Sequence, residues 1–465
     1  MKENIIQPMV ELFVAERNAT SLNELLSSWP VAEIAELIDE AEDKEDRLFI
    51  FESLSHELAA QTFEYLELQY QKEILEELPF DRIPEILNEM SADDRTGFLE
   101  ELPPHTVSQL IAVLSPQERT IALTLLGHPE NSVGRLMTPD YTAVHAYWTI
   151  QETLDYIRLH GSNSETLNVI YVIDENGYLI DDIKVREFLL ADPSKKVEDI
   201  MDHKYQSLYV DDDQEEVVAK FRNLNRVALP VTDKDGFLLG IVTVDDVLDV
   251  VEEENTEDIQ KLGAVEVFDE PYMNISFALL IRKRAGWLII LFLSEMLTAT
   301  AMGFFEDEIA KAVVLALFVP LIISSGGNTG SQAATLIIRA LALGEIKLND
   351  WWRIMRREIL AGLTLGAILG FIGFCRIGIW HFTIHMNGQM AYGPHWLLVA
   401  FTVGFSLIGV VLWGTLSGSM LPLILKKCRL DPATSSAPFV ATLVDVTGLI
   451  IYFSIAMVIM RGTLL

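Results

Sequence analysis

Residues 320–332 read Pro320-Leu-Ile-Ile-Ser-Ser-Gly-Gly-Asn-Thr-Gly-Ser-Gln332 and interrupt the end of a long apolar run with three glycines and a set of uncharged, oxygen-bearing side chains. In hydrocarbon every backbone group has to be satisfied internally, so irregular polar backbone is expected there only where protein packs around it or water fills a cavity. Gly326, Gly327 and Gly330 permit close helix approach, and Ser324, Ser325, Asn328, Thr329, Ser331 and Gln332 supply oxygens. Two readings stand side by side: a helix-packing or capping segment, or the lining of a polar pathway.

Outward from this stretch, the second part of the chain holds five apolar runs long enough to cross a bilayer, which takes roughly 20 residues. They are expected near 285–305, 310–334, 357–381, 396–424 and 434–460. Arg282, Lys283 and Arg284, then Arg339, Lys347, Arg353, Arg356 and Arg357, then Lys426, Lys427 and Arg429 fall on one side of these spans. By the positive-inside rule that side is cytosolic, so the N-terminus is expected in the cytosol and the C-terminus outside. Away from the span ends, only Glu295 and Asp445 are acidic within the spans. Charge at membrane depth is costly enough to suggest a function. Asp445 lies in a second polar, Pro- and Gly-bearing span, Ser435-Ser-Ala-Pro-Phe-Val-Ala-Thr-Leu-Val-Asp445-Val-Thr-Gly448. Two broken polar spans and one carboxylate describe a cation path. Glu295 is open to two readings, a titrating group or a neutral, hydrogen-bonded residue in a helix interface.

The charge of the 465-residue chain separates along its length. Residues 1–270 carry 59 acidic and 20 basic residues, whereas residues 271–465 carry 9 and 14. An acidic soluble half therefore precedes a membrane half. The start, Met1-Lys2-Glu3-Asn4, has no apolar stretch behind a basic one, so no cleaved signal peptide is expected. The two cysteines, Cys375 and Cys428, make neither a disulfide framework nor a zinc site.

From Leu66 the soluble half repeats every twelve residues. Leu66, Leu78, Met90, Leu102, Leu114 and Leu126 form one apolar phase, and Leu75, Leu87, Leu99, Ile111 and Leu123 a second. Helix-start signals follow the first phase, among them Pro79-Phe80-Asp81, Ser91-Ala92-Asp93-Asp94, Pro103-Pro104 and Ser115-Pro116-Gln117-Glu118. Short helices of this kind bury their apolar faces only by stacking, which predicts a helical solenoid over residues 1–131.

Beyond Met137 the pattern changes to β-branched runs alternating with helices, and the change occurs twice. Asn168–Asp174 with its turn at Glu175-Asn176-Gly177 is matched by Arg226–Thr232, the turn Asp233–Gly236, a strand from Leu238 and a helix opened by Thr243-Val-Asp-Asp246. This duplicated αβ unit, over 132–250, resembles a pair of CBS domains, modules that read small ligands. Thr243 and Asp245 stand where such domains often hold a ribose or phosphate. The first copy has Asp181-Asp182-Ile183-Lys184 there instead, which leaves a purely structural role open. The following segment, 251–275, continues an acidic helix carrying Asp245, Asp246, Asp249, Glu252, Glu253, Glu254, Glu257 and Asp258 and leads directly to the membrane half, 276–465. Packed carboxylates repel one another unless solvated or neutralised. A solvated linker and a cation-responsive element are both possible, and a position between sensor and membrane favours the second.

Domain order and motifs together resemble the MgtE family of magnesium transporters over nearly the whole chain. The matching stretches are Pro320–Gln332, Ile337–Ala342, Asp431-Pro-Ala433, Pro438–Gly448 and Thr256–Ala264. The resemblance implies a multidomain protein: helical repeat domain, α/β CBS pair, long connecting (plug) helix and five-helix transmembrane domain. It implies a homodimer with a pore on the two-fold axis, Asp445 as central Mg²⁺ ligand, and Asp431 as a further acidic position near the cytosolic end of the pore. Gly326, Gly327, Asn328, Gly330, Gln332, Pro438 and Thr442 would line that pore with Asp445. Regulatory Mg²⁺ would bind Asp213, Glu215, Asp246, Asp249, Glu254, Glu257 and Asp258, with Asp93 from the repeat domain. Gly97 stands where a second repeat-domain carboxylate is expected.

The expected function is therefore Mg²⁺ uptake through a cell-membrane channel closed by intracellular Mg²⁺, with ATP as a possible regulatory ligand of the CBS pair. No thiol or imidazole set points to a soft metal. No catalytic motif and no Gly-x-x-x-x-Gly-Lys-Ser/Thr loop is present, and no nucleic-acid partner is expected. A transporter of Co²⁺ or Mn²⁺, a carrier coupled to protons or sodium through Glu295, and a non-conducting membrane sensor are the competing expectations.

Overall fold

The computed structural model describes residues 3–41, 43–268, 272–273, 275–386, 389–390 and 392–463. Part of the expected connecting segment, residues 269–271 and 274, lies outside the described residues. Two compact units, Met1–Val251 and Glu252–Leu465, divide the chain.

In the first unit the twelve-residue repeat becomes a stack of short helices, including Leu68–Glu77, Ile83–Glu89, Ala92–Glu100, Pro104–Val113 and Pro116–Leu125. Leu66, Leu78, Met90 and Leu114 each end a helix in extended backbone with ψ between 142° and 153°. All four side chains are buried in one core. The residue after each of them is itself extended or begins a turn, so each connection is only a few residues long. In the second phase Leu87 and Leu99 are buried and Leu75 and Ile111 partly buried against the same core, whereas Leu123 is 55% exposed; the residues one position earlier, Ile74, Ile86, Phe98, Leu110 and Ala122, are at most 5% exposed throughout. Twelve residues are not a whole number of helical turns. The stacking angle therefore selects which of two adjacent apolar residues faces inward. The helix expected at Pro79-Phe80-Asp81 begins later, at Ile83, because a turn occupies residues 80–82.

The duplicated unit forms two three-stranded sheets of the same topology. In the first, β1 (Ala143–His145) runs parallel to β2 (Val169–Ile173), which pairs antiparallel with β3 (Leu179–Lys184). In the second, β4 (Leu208–Tyr209), β5 (Ala228–Thr232) and β6 (Leu238–Thr243) repeat the arrangement. The turns at Gly177 and Gly236 share φ values of +89° and +90°, a region open to glycine. The copies meet along Tyr178 and Phe237 and across an ion pair in which Arg226 contacts both oxygens of buried Asp182. The acidic helix follows β6 without a break as Val244–Leu262.

In the second unit five helices are long and apolar enough to cross a membrane: Phe277–Phe304, Val313–Ala342, Leu348–Thr383, Trp396–Lys427 and Ala437–Met460. Their number and order match the sequence reading. The first and third begin eight or nine residues earlier than expected, because the helices continue through the basic segments at Arg282–Arg284 and Arg353–Arg357. Hydropathy marks only the stretch in hydrocarbon, whereas the backbone stays helical through the interface, where Lys and Arg reach water.

The fourth span is the centre of this unit, packing against the second, third and fifth. Close approach is made by glycines facing backbone. A Cβ at Gly414 would collide with the Gly326 carbonyl, and one at Gly418 with that of Gly330. On the other side Gly366 and Gly370 of the third span abut the backbone of Ile408 and Gly404. Tyr452, buried in the fifth span, donates to the Leu315 carbonyl at 2.8 Å and fixes the short 3₁₀ segment Val313–Phe318 ahead of the second.

Gly418→Val should therefore separate the second and fourth spans and lower the thermal midpoint of the detergent-solubilised protein. Gly303→Val, at a site with nothing within 4 Å of a Cβ, should leave it nearly unchanged. Equal effects from the two substitutions would contradict this packing.

Candidate cation path and acidic regulatory sites

The two polar spans are unbroken helices, contrary to the irregular backbone expected of them. Val319–Ala342 and Ala437–Met460 are each 24 residues of continuous α-helix. Hydroxyls turn back on their own helix and satisfy their protons without breaking it: Ser325 donates to Leu321 O at 2.7 Å, Thr329 to Ser325 O at 2.9 Å, and Thr442 to Pro438 O at 2.9 Å. Gly326 and Gly330 are buried against the fourth and fifth spans, so their part in the site is packing. Gly327 faces the fifth span, where a Cβ would lie 3.7 Å from Asp445 Oδ1.

The helical period then separates the residues of the second span. Ser324, Asn328 and Gln332, spaced by four, are exposed along one stripe of the single chain, and Asn328 approaches the Ser324 hydroxyl at 3.5 Å. Asp445 is half-buried beside Gly327. Ser331 donates to Ala437 O at 3.0 Å, tying the second span to the head of the fifth. Pro438 lies in the first turn of that span, and Thr442 is buried. Glu295 is exposed on the first span.

Asp431 begins the turn that leads into the fifth span. One of its oxygens accepts from Ala433 N at 2.8 Å, and the other pairs with Lys261 Nζ at 2.6 Å. Lys261 also pairs with Glu257, one turn back in the acidic helix. Burial, then the charges of Asp431 and Glu254, push the Asp258 carboxyl up to about 6.

In the first unit Asp93 is 9% exposed at the head of Ala92–Glu100. Burial, followed by the charges of Asp246, Asp94 and Glu165, raises its carboxyl well above the usual range. Asp246 is raised to about 7, chiefly by burial, against two hydrogen bonds from Thr243 that lower it. Glu64, Asp94, Asp140 and Glu165 complete this concentration of negative charge. None of the four was singled out from sequence. They come from separate helices of the stack and from the first αβ copy, and no local spacing relates them. Asp94 alone had a signal, as the neighbour of Asp93. Asp213 caps the helix Gln214–Leu224 by accepting from Glu215 N, while Asp249 and Glu254 lie on the acidic helix. Among the described residues, no three His, Cys, Asp or Glu side chains converge as a formed metal site.

Thr243, singled out for a nucleotide, spends its hydroxyl on Asp245 and Asp246. A cleft of about 240 Å³ opens elsewhere in the pair, lined by Asn168, Lys184, Arg186, Asn225 and Arg226 among others.

Comparison with known proteins bears on these sites together. Residues 319–455 match the family profile described as a divalent cation transporter, MgtE; residues 29–131 match the MgtE intracellular N domain, and residues 197–253 a CBS domain. Over 99% of its length the chain is 38% identical to the whole of the magnesium transporter MgtE of Thermus thermophilus. This chain belongs to the MgtE family. The Bacillus subtilis magnesium transporter MgtE is 30% identical, over 93% of this chain and 95% of its own. A crystal structure of the cytosolic domain of the Mg²⁺ channel MgtE in complex with ATP is 35% identical, with a TM-score of 0.50, and is matched over 52% of this chain and 98% of its own. The CBS profile meets the second copy, the one that keeps the Thr243-Val-Asp245 sequence, in this MgtE-family chain.

The raised carboxyls make the first unit pH-sensitive. A buried acid whose folded pKa lies above its unfolded value binds more protons when folded, so its contribution to stability falls as pH rises from about 4 to about 7 for Asp246. In metal-free buffer the thermal midpoint should fall across this window. Asp246→Asn should flatten the profile, and a profile unchanged by the substitution would count against the buried pair.

Proposed function

We propose that this chain is a homodimeric, magnesium-selective channel-like transporter of the cytoplasmic membrane, driven by the electrochemical gradient and closed by intracellular Mg²⁺. The observation that carries the reading is the placement of Asp445 beside Gly327, on the span whose Ser324, Asn328 and Gln332 are exposed along one stripe of the single chain. A polar stripe and a carboxylate facing hydrocarbon are costly, and pairing with a second copy about a two-fold axis turns both into the wall of a water-filled path. Mg²⁺ holds its waters tightly in near-octahedral geometry. Two Asp445 carboxylates suit a hydrated ion held through its waters. The full-length identity to magnesium transporters supports Mg²⁺ as the cargo.

In this proposal residues 1–131 and 132–250 form the cytosolic sensor, 251–275 the connecting helix and 276–465 the pore, with the C-terminus outside. The charges of the acidic helix supply the gate. Near its start Asp246 faces Asp93, and near its end Glu257 and Asp258 approach Asp431. Without divalent cations these carboxylates repel; Mg²⁺ between them stabilises the arrangement in which the helix is held at the pore, and so must bind that arrangement more tightly than the open one. Asp213, Glu215, Asp249 and Glu254 are further candidate ligands. ATP is the proposed ligand of the CBS pair. The cleft with Lys184 and Arg186, whose cations suit a polyphosphate, is a better candidate for it than Thr243 and Asp245, which bond to each other. No catalytic step is proposed.

Purified protein in liposomes should carry Mg²⁺ when internal Mg²⁺ is low and lose the flux when it is high. Asp445→Ala should lower the open-state flux at least about tenfold, because a dication in a low-dielectric path loses more than ~1.4 kcal/mol of stabilisation with that carboxylate. Greater flux of Co²⁺ or Mn²⁺ than Mg²⁺ would reassign the cargo. Absence of any divalent flux would leave the chain a sensor.

A further inference from the structure

The acidic helix Val244–Leu262 contains one basic residue, and it stands in the last turn. A lysine there complements the helix dipole, which is reason enough for its presence on a solvated helix. Its contacts reach further. Lys261 Nζ lies 2.6 Å from Asp431 Oδ2, across 170 residues of sequence. The other Asp431 oxygen is held by Ala433 N, so the carboxylate is aimed before the ammonium reaches it. The next residue, Leu262, packs against the apolar core of the membrane half, which also contains Ala433 and Val440. The helix end is thus docked by an apolar contact and an ion pair together, at the turn leading to the span that carries Asp445.

Two further carboxylates lie by this contact. Glu257 pairs with the same ammonium, and Asp258 lies in the field of Asp431. Without Lys261, three carboxylates would approach one another without the ammonium that now pairs with two of them. We propose that Lys261 is a positioning residue of the gate, a tethered cation that holds the end of the connecting helix at the Asp431 turn and thereby lowers the amount of divalent cation needed to keep the pore closed. The inference rests on the gated-channel reading above and adds a residue that is not itself a metal ligand. A residue favouring one of two arrangements shifts the ligand concentration at which they balance and leaves each arrangement's own properties alone.

The test measures Mg²⁺ influx into liposomes containing the full-length protein as internal Mg²⁺ is raised. K261M should move half-inhibition to about two- to fivefold higher internal Mg²⁺, the range expected of a partly exposed ion pair, with flux at low internal Mg²⁺ unchanged. K261R should keep the wild-type set point. In K261M/D431N the two shifts should not add, because both substitutions remove one interaction. Unchanged half-inhibition in K261M, equal shifts in K261M and K261R, or full additivity in the double variant would each overturn the proposal. Should K261M fail to fold, the charge-swapped K261D/D431K replaces it: a set point nearer wild type than that of D431K alone supports the pair, and one no nearer overturns it. A wild-type protein that carries no Mg²⁺ would overturn the channel reading, a result separate from any of these.

Discussion

Backbone-to-backbone contact between glycines of the second and fourth spans is the constraint on which the membrane half depends. Gly326 meets Gly414, and Gly330 meets Gly418, with no room for a Cβ between them. Lipid tails are as apolar as leucine, so helices in a bilayer gain little from hiding apolar surface and associate through packing at short range. With the second span pressed onto the fourth and fifth, its 3.6-residue period leaves Ser324, Asn328 and Gln332 on the outer stripe and sets Gly327 beside Asp445. Gly327 and the Asp445 carboxylate are thereby brought together from spans more than a hundred residues apart.

The soluble half works with an opposite economy, in which charge is left unneutralised. Its negative residues are concentrated by the fold: Glu64 and Asp94 from the helical stack, Asp140 and Glu165 from the first αβ copy, and Asp246 from the helix that follows the second. Burial raises these carboxyls because an ion loses its hydration there, and each neighbour of like charge raises them further. Such an arrangement is kept only where some condition relieves it. Protons relieve it at low pH; in the proposed gate divalent cations do so near neutrality. Lys261 is the exception within that helix, a counter-charge that needs no ion from solution.

Much of the architecture was legible in the sequence, and the departures have physical causes. The period of twelve announced the helical stack through Leu66, Leu78, Met90 and Leu114, and Leu87 and Leu99 of the second phase are buried as read, yet at its end Leu123 is exposed and Ala122 is buried instead. Hydrophobicity does not distinguish neighbours such as Leu123 and Ala122, and only the angle between stacked helices decides which is covered. The duplicated αβ unit was visible in its matched turns. What Asp182 does was not, because its partner Arg226 belongs to the other copy. In the polar spans, glycine and hydroxyl content suggested broken helices, while the hydroxyls bond to the preceding turn and the glycines make contacts, both compatible with unbroken helix.

The sequence by itself determined the class of protein: an acidic soluble half, five apolar spans, an expected sidedness read from Lys and Arg, and a single carboxylate in the last span. These are properties of composition and period, which act locally and survive without knowledge of contacts. Tertiary structure alone decided that Gly327 sits beside Asp445, which carboxylates gather around Asp93, and that Lys261 meets Asp431. Each of those depends on the distance between residues remote in the chain. Electrostatic and packing energies change steeply over a few ångströms, and a sequence pattern does not contain that distance.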